Sequence, residues 1–347
     1  MTEIKKRKTY IDLIRSFSVC LIFLYHFDIV RLGASDPVLY RFANGNWGNI
    51  GVFLFFMISG NCLMYKYEYE FEWKDFLKNR ISKILVPFWM CYILVFLFRF
   101  WQTKSFPEIP LYRFGLTIVG MDGYFAYRIE NFYLIGEWFL GSILFLYLLF
   151  PIMRYCVKKS LPITIGILFA LNIILYYNNF FGFFVITPNR NLLTGLFYFV
   201  LGIGTETFEK RINKLNNRWR MLVKGFIYGI GIIIICIKLP INEYLISILL
   251  TIAIYLFFMD IEKIVKWEAI GRVIQWLSLN SYVIFLMHHV IINSVLDHFA
   301  GNVYSFKGRF CVFVICILLL WLVTESIQKL LQMTKKFNFT AEHLTIR

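Results

Sequence analysis

The sequence predicts an all-α membrane protein, a polytopic bundle of about ten transmembrane helices with both termini cytoplasmic. Three observations carry that expectation. Of 347 residues, 59% are hydrophobic and 20% aromatic, with a mean hydropathy of +0.65, far above a soluble domain. Apolar runs approaching the ~17–25 residues that cross a bilayer as a helix recur from end to end. The cations, finally, alternate in density from loop to loop.

The spans are read at residues 10–30, 50–66, 82–100, 133–153, 162–178, 192–207, 221–239, 243–260, 277–297 and 310–331. Several are shorter than the ~20 residues needed to cross upright. They are therefore either thinned or discontinuous helices around a cavity, or helices that run a few residues past these limits. Lys and Arg number 36 against 21 Asp and Glu, for a net charge of +15. With the N-terminus inside, 25 of those cations fall on cytoplasmic segments, in groups such as Lys5–Lys8, Lys74–Lys83 and Lys210–Lys224. Nine fall outside, and Arg15 and Arg99 lie within spans. That asymmetry is the positive-inside pattern, so the basic excess reports topology and contact with anionic lipid, and nucleic acid is excluded as a partner.

The first span, Tyr10 to Val30, contains Arg15 and His26. An ionised side chain at the bilayer centre costs at least ~2.5–3.5 kcal/mol, so each needs a reason to be there. Eleven residues at about 100° each bring both onto one helix face, roughly 16 Å apart along the axis. Arg15 lies near the cytoplasmic end, where a guanidinium can hold a phosphate or pyrophosphate through forked hydrogen bonds; lipid phosphate is its alternative partner. His26 lies deeper, where an imidazole titrating near neutral pH can act as a general base on a hydroxyl; a hydrogen-bonded core histidine is the alternative. The stretch lacks a small-x-small cleavage site and is expected to remain as a helix. Asp28 points about 200° away from His26 and is left out of the catalytic set.

In the second span, Gly51, Ser59 and Gly60 are small residues that permit close approach of a helix or a ligand. Arg80 and Lys83 stand just before the third span, three residues apart and hence neighbours on one face. They either bind an anionic donor or simply flank the membrane. The segment from about residue 101 to 132 is the longest between spans and rich in aromatics. Its Phe106-Pro107 and Ile109-Pro110 steps disfavour a continuous helix, and Tyr112 to Val119 reads as a short interfacial element. Glu137 and Trp138 open the fourth span, and His288, with His289 beside it, lies within the ninth. The seven cysteines are scattered through apolar stretches without metal-type spacing and read as small buried hydrophobes.

Five stretches then occur in order: Arg15-x10-His26, GNIGVFLFFMISG (Gly48–Gly60), FLKNRISKILVPFW (Phe76–Trp89), WFLGSILFLYLLFP (Trp138–Pro151) and LSLNSYVIFLMHH (Leu277–His289). Together they resemble the membrane-bound acyltransferase-3 family, over about residues 8 to 330. The resemblance implies transfer of an acyl group, usually acetyl, from cytoplasmic acyl-CoA to a hydroxyl of a surface or lipid-linked carbohydrate. No bound cofactor is implied, since acetyl-CoA is the donor substrate. It implies His26 as the base and Arg15, Arg80 and Lys83 as the donor-binding cations. Lys83 departs from the arginine common there, keeping the charge but losing the planar fork. Trp138, Ser59 and, from its place at the outer end of an apolar span, Glu137 are acceptor or pocket candidates, with an interfacial carboxylate facing water the alternative for Glu137; for His288 a hydrogen bond within the bundle comes first and a pocket contact second. Where many members carry a glutamate five residues after the tryptophan, this chain has Ile143, so no carboxylate role carries over. Richness in Ile, Lys, Asn, Phe and Tyr suggests an AT-rich bacterial genome, and with it a plasma membrane location. A transporter or flippase for a lipid-linked sugar is the competing class, though no repeated halves are visible.

Overall fold

The computed structural model describes residues 8–29, 45, 47–178, 187–237, 242–262, 270–299 and 306–344. Its helices are α1 (Thr9–Ile29), α2 (Trp47–Tyr67), α3 (Trp73–Thr103), the short α4 (Phe114–Ile118) and α5 (Asp122–Phe125), α6 (Glu137–Asn178), α7 (Leu192–Asn213), α8 (Asn217–Cys236), α9 (Glu243–Ile261), α10 (Gly271–His298) and α11 (Phe306–Leu344). No strand occurs among the described residues.

Eight of these, α1, α2, α3, α6 and α8 to α11, are long and apolar enough to cross a membrane. In α6 two helical stretches meet at Ser160, whose backbone is extended (φ −161°, ψ 101°). Pro162 cannot donate to the Lys158 carbonyl four residues back, which weakens the ladder at that point. Among the described residues the count is therefore eight where the sequence reading expects ten: the fourth and fifth expected spans both fall on α6, and the sixth falls on α7, whose last turns carry Glu206, Glu209, Lys210 and Arg211.

The short spans are explained by helices that outrun their apolar stretches. Helix α3 starts at Trp73, nine residues ahead of the expected span, so Arg80 as well as Lys83 lies well inside the helix. Lys, Arg and Glu are good helix formers, and the ladder continues into polar flanks where hydropathy has already fallen.

The backbone divides into two compact units. The first comprises residues 1–29, 33–71 and 138–281, with α2 packed against both α1 and α7. The approach to α7 is close enough to require glycine. A Cβ on Gly60 would fall far inside contact distance of the Phe199 carbonyl, and one on Gly202 inside that of Met57. A Cβ on Gly51 would stand 2.8 Å from Ile22 Cγ1 and 3.0 Å from the Ser18 carbonyl of α1. These second-span glycines therefore serve helix packing. Next to the crossing, the Phe53 and Tyr198 rings stack at 4.0 Å.

Several cations read as topology signals also close helix ends. Arg154 donates from Nε to the Tyr67 carbonyl (2.6 Å) and from Nη2 to that of Glu68 (2.9 Å), and Lys158 also donates to Glu68. These are orphan carbonyls at the C-terminus of α2, where a cation also meets the negative end of the helix dipole. Lys224 of α8 grips both Asp260 oxygens of α9 at 2.6 and 2.7 Å, and the Tyr228 hydroxyl donates to the same carboxylate at 2.6 Å.

The second unit comprises residues 30–32, 72–137 and 282–347. Helix α3 holds the segment that follows it, since Trp89 Nε1 donates to the Ile118 carbonyl (2.9 Å) and the Tyr92 hydroxyl to that of Phe132 (2.6 Å). The Tyr282 hydroxyl donates to the Ile84 carbonyl at 3.1 Å, fixing this part of α10 to α3. Residues 111–113 form one 3-10 turn leading into α4, the short element expected there.

Candidate active site

Helix α1 carries Arg15 and His26 in one uninterrupted helix. Its apolar positions are filled by residues such as Ile14 and Ile22, both fully buried, and this burial pays the cost of placing polar groups alongside. Arg15 is half-buried, and its Nη2 donates to Cys62 Sγ of α2 at 3.4 Å. A thiol sulfur is a weak acceptor, whereas a guanidinium has five N–H donors. Nearby, the Tyr10 hydroxyl meets Asn61 Oδ1 at 3.3 Å, and Lys8 Nζ pairs with Glu206 at 2.5 Å while lying 4.5 Å from the centre of the Tyr65 ring. The Arg15 end of α1 is thus lined by polar and cationic side chains within the first unit.

His26 occupies the last turn of α1, half-buried, with the Tyr25 ring edge-on at 5.3 Å. Ser59 of α2 is half-buried. Trp138 packs edge-on against Phe56 at 6.3 Å, and the Phe56–Phe139 pair lies at 5.1 Å; this is aromatic packing inside the first unit. Ile143 is 3% exposed, an apolar residue in an apolar setting. The side chain of Glu137 lies outside the described residues, as does that of Asp28.

In the second unit, Arg80 is half-buried and Lys83 exposed, one turn apart on α3. His288 is 1% exposed, and its Nδ1 lies 2.5 Å from the Phe285 carbonyl. A carbonyl only accepts, so Nδ1 carries the proton, and in the neutral ring Nε2 keeps its lone pair. The His289 ring lies 4.4 Å away. His288 is therefore a second imidazole held in one tautomer.

Two carboxylates escaped the sequence reading. Asp12, buried on α1, accepts from the Ser278 hydroxyl at 2.6 Å, and Ser16 Oγ donates to the Ile274 carbonyl at 2.8 Å. These bonds fasten the start of α10 to α1 and give the first serine of the last motif a structural role. The signal was present, because Asp12 within an apolar span calls for the same explanation as Arg15.

Asp122 lies in the segment between α3 and α6, 1% exposed. Its Oδ1 accepts from the Gly123 N–H at 2.8 Å, and Asn131 Nδ2 donates to its backbone carbonyl at 3.0 Å. Burial pushes its carboxyl from 3.8 up to about 7, against the lowering effect of the Gly123 N–H and the Thr117 hydroxyl. The fold therefore holds a proton that the unfolded chain releases above pH ~4. Stability is full below that pH, falls as pH rises through about 7, and then levels off, a total of about 4 kcal/mol if the whole shift is realised. Thermal midpoints measured from pH 4 to 8 should fall for the wild type, and Asp122→Asn should remove most of that slope. Parallel curves for the two proteins would show that Asp122 ionises freely.

No curated protein and no solved structure matches the chain. The sequence model of the acyltransferase-3 family, described as an acyltransferase domain, matches residues 8–325, from Lys8 at the start of α1 into α11. With this match over nearly its whole length and its long apolar helices, the chain belongs to this family and is a membrane acyltransferase.

Proposed function

We propose that the protein transfers an acetyl group from cytoplasmic acetyl-CoA to a hydroxyl of a cell-surface or lipid-linked carbohydrate, at a bacterial plasma membrane. The observation that carries this reading is the half-buried guanidinium of Arg15, answered by a thiol sulfur and lying on the same helix as His26. A phosphate of CoA supplies the strong bidentate acceptor that Cys62 does not. Arg80 and Lys83, on one face of α3, add positive charge on what the cation asymmetry makes the same side of the membrane.

The chemistry follows from His26. The imidazole takes the proton of the acceptor hydroxyl as its oxygen attacks the thioester carbonyl. A C–O bond forms, the C–S bond breaks, and the proton passes to the departing CoA sulfur. Glu137, Trp138, Ser59 and His288 are the candidates for holding the sugar.

Two measurements test the reading. The O-acetyl content of the surface glycan should fall when the gene is deleted and return when it is restored. With protein in proteoliposomes, Arg15→Ala should raise the apparent acetyl-CoA constant about 10–100-fold, the weight of a charge-assisted bidentate contact, and Arg15→Lys should raise it less. Unchanged donor affinity in both variants would reduce these cations to topology signals.

A further inference from the structure

Between the Thr103 end of α3 and the segment that follows it lies an open cavity of about 420 Å³, within the ~300–1,000 Å³ usual for ligand pockets. Helix α3 contributes Tyr92, Ile93 and Phe96 to its wall. The facing wall is aromatic and braced by its own rings. Phe106 meets Phe96 and Phe132 at 5.9 Å each, and Phe114 meets Phe132 edge-on at 5.5 Å. The lining hydroxyl of Tyr92 is already committed to the Phe132 carbonyl. A sugar, which needs several hydrogen-bonding partners, finds none along this wall; a hydrocarbon chain needs none.

We propose that this cavity is a lipid site, taking one acyl chain of an anionic bilayer phospholipid whose phosphate lies against Lys104 and Arg113. The cavity is continuous with the exposed apolar face of α3, where Ile93, Leu94, Leu97 and Phe98 stand outward. Ile93 belongs to both surfaces, so a chain enters directly from the bilayer. Trp101 and Tyr112, 66% and 78% exposed, are the aromatic residues that collect at headgroup level. They set the cavity at the depth of the upper acyl chain.

Lys104 and Arg113 supply the charge. Lys104 caps α3 in the left-handed conformation (φ 53°), its N–H donating to the Phe100 carbonyl. Glycine is the default there; the lysine found instead brings a cation two residues ahead of the lining Phe106, its Nζ 5.7 Å from the centre of the Trp101 ring. Arg113, two residues after the lining Leu111, is tethered by Nη1 to the Glu130 carbonyl at 2.8 Å, which leaves further N–H groups of its fork for a phosphate. Glu108 and Glu130 are the exposed carboxylates of the same stretch. They bias the site toward one tethered headgroup rather than a broad anionic film.

The test uses the full chain in phosphatidylcholine vesicles containing a minor share of phosphatidylglycerol with a diazirine in its acyl chain. After irradiation, peptide mapping should place adducts on Phe106, Phe114 and Phe132, competed away by unlabelled phosphatidylglycerol but not by phosphatidylcholine. Leu111→Trp, at a position 72% exposed and so tolerant of change, should fill the cavity and abolish those adducts while leaving labelling of Leu97 and Phe98 intact. Lys104→Gln combined with Arg113→Gln should erase the preference for phosphatidylglycerol. Adducts confined to Leu97 and Phe98 would overturn the site. Equal competition by both phospholipids, or competition by a polyprenyl phosphate alone, would overturn its occupant.

Discussion

Gly202→Ala is expected to destabilise the protein sharply, because the added methyl has nowhere to go. Its Cβ would be driven into the Met57 carbonyl of α2, and a backbone atom cannot swing aside as the end of a side chain can. Overpacking of this kind costs roughly 1–3 kcal/mol or more, and relief requires α2 and α7 to separate along the contact where Phe53 and Tyr198 stack. Gly60→Ala strikes the Phe199 carbonyl and should behave alike. Gly225→Ala is the control, since its Cβ meets nothing within 4 Å and alanine is better than glycine within a helix by about 1 kcal/mol. Size-exclusion profiles and thermal midpoints in detergent should show loss of folded Gly202→Ala and Gly60→Ala, with Gly225→Ala unchanged or slightly stabilised. Wild-type behaviour of Gly202→Ala would mean that the two helices are not in backbone contact.

The glycines show how much of this fold was legible in the sequence. Hydropathy located the helices because burial in lipid demands long apolar runs, and small residues in the second span announced a close approach. What the approach faced was not visible, since Gly60 reads the same beside a ligand as beside the Phe199 backbone. Helix ends were legible only to within several residues: Arg80 and Lys83 sit inside α3 because charged residues prolong a helix beyond its apolar stretch. Contacts distant in sequence were hidden altogether. Ser278 and Asp12 are 266 residues apart, and nothing local in either stretch pairs them. Nothing in the sequence marked Asp122, because its setting includes Thr117 and Asn131, five and nine residues away in the chain. The candidate pair on the first helix was the easiest feature to find. A charge and an imidazole eleven residues apart in a membrane helix stand out by their cost, and the family match adds the reaction class without naming the acceptor.

His26→Ala should lower turnover by roughly 10²–10⁴-fold, the usual worth of a general base, while the protein stays folded and still binds acetyl-CoA. The donor contacts assigned to Arg15 lie roughly 16 Å of helix rise away, so the loss should fall on kcat and leave the donor constant nearly unchanged. The acidic limb of the pH–rate profile should flatten too, because the group whose deprotonation it reports is gone. His26→Gln sharpens the comparison, since it keeps a polar side chain at the last turn of α1 but cannot accept and release a proton near neutral pH. Recovery of activity in the glutamine variant would assign His26 a hydrogen-bonding role only. The necessary companion is His288→Ala, because His288 also presents an imidazole whose Nδ1 is engaged by the Phe285 carbonyl and whose Nε2 is left with its lone pair. If His26→Ala kept more than a tenth of wild-type turnover while His288→Ala lost it together with the acidic limb, the proton would belong to His288 and the assignment of the base would pass from α1 to α10.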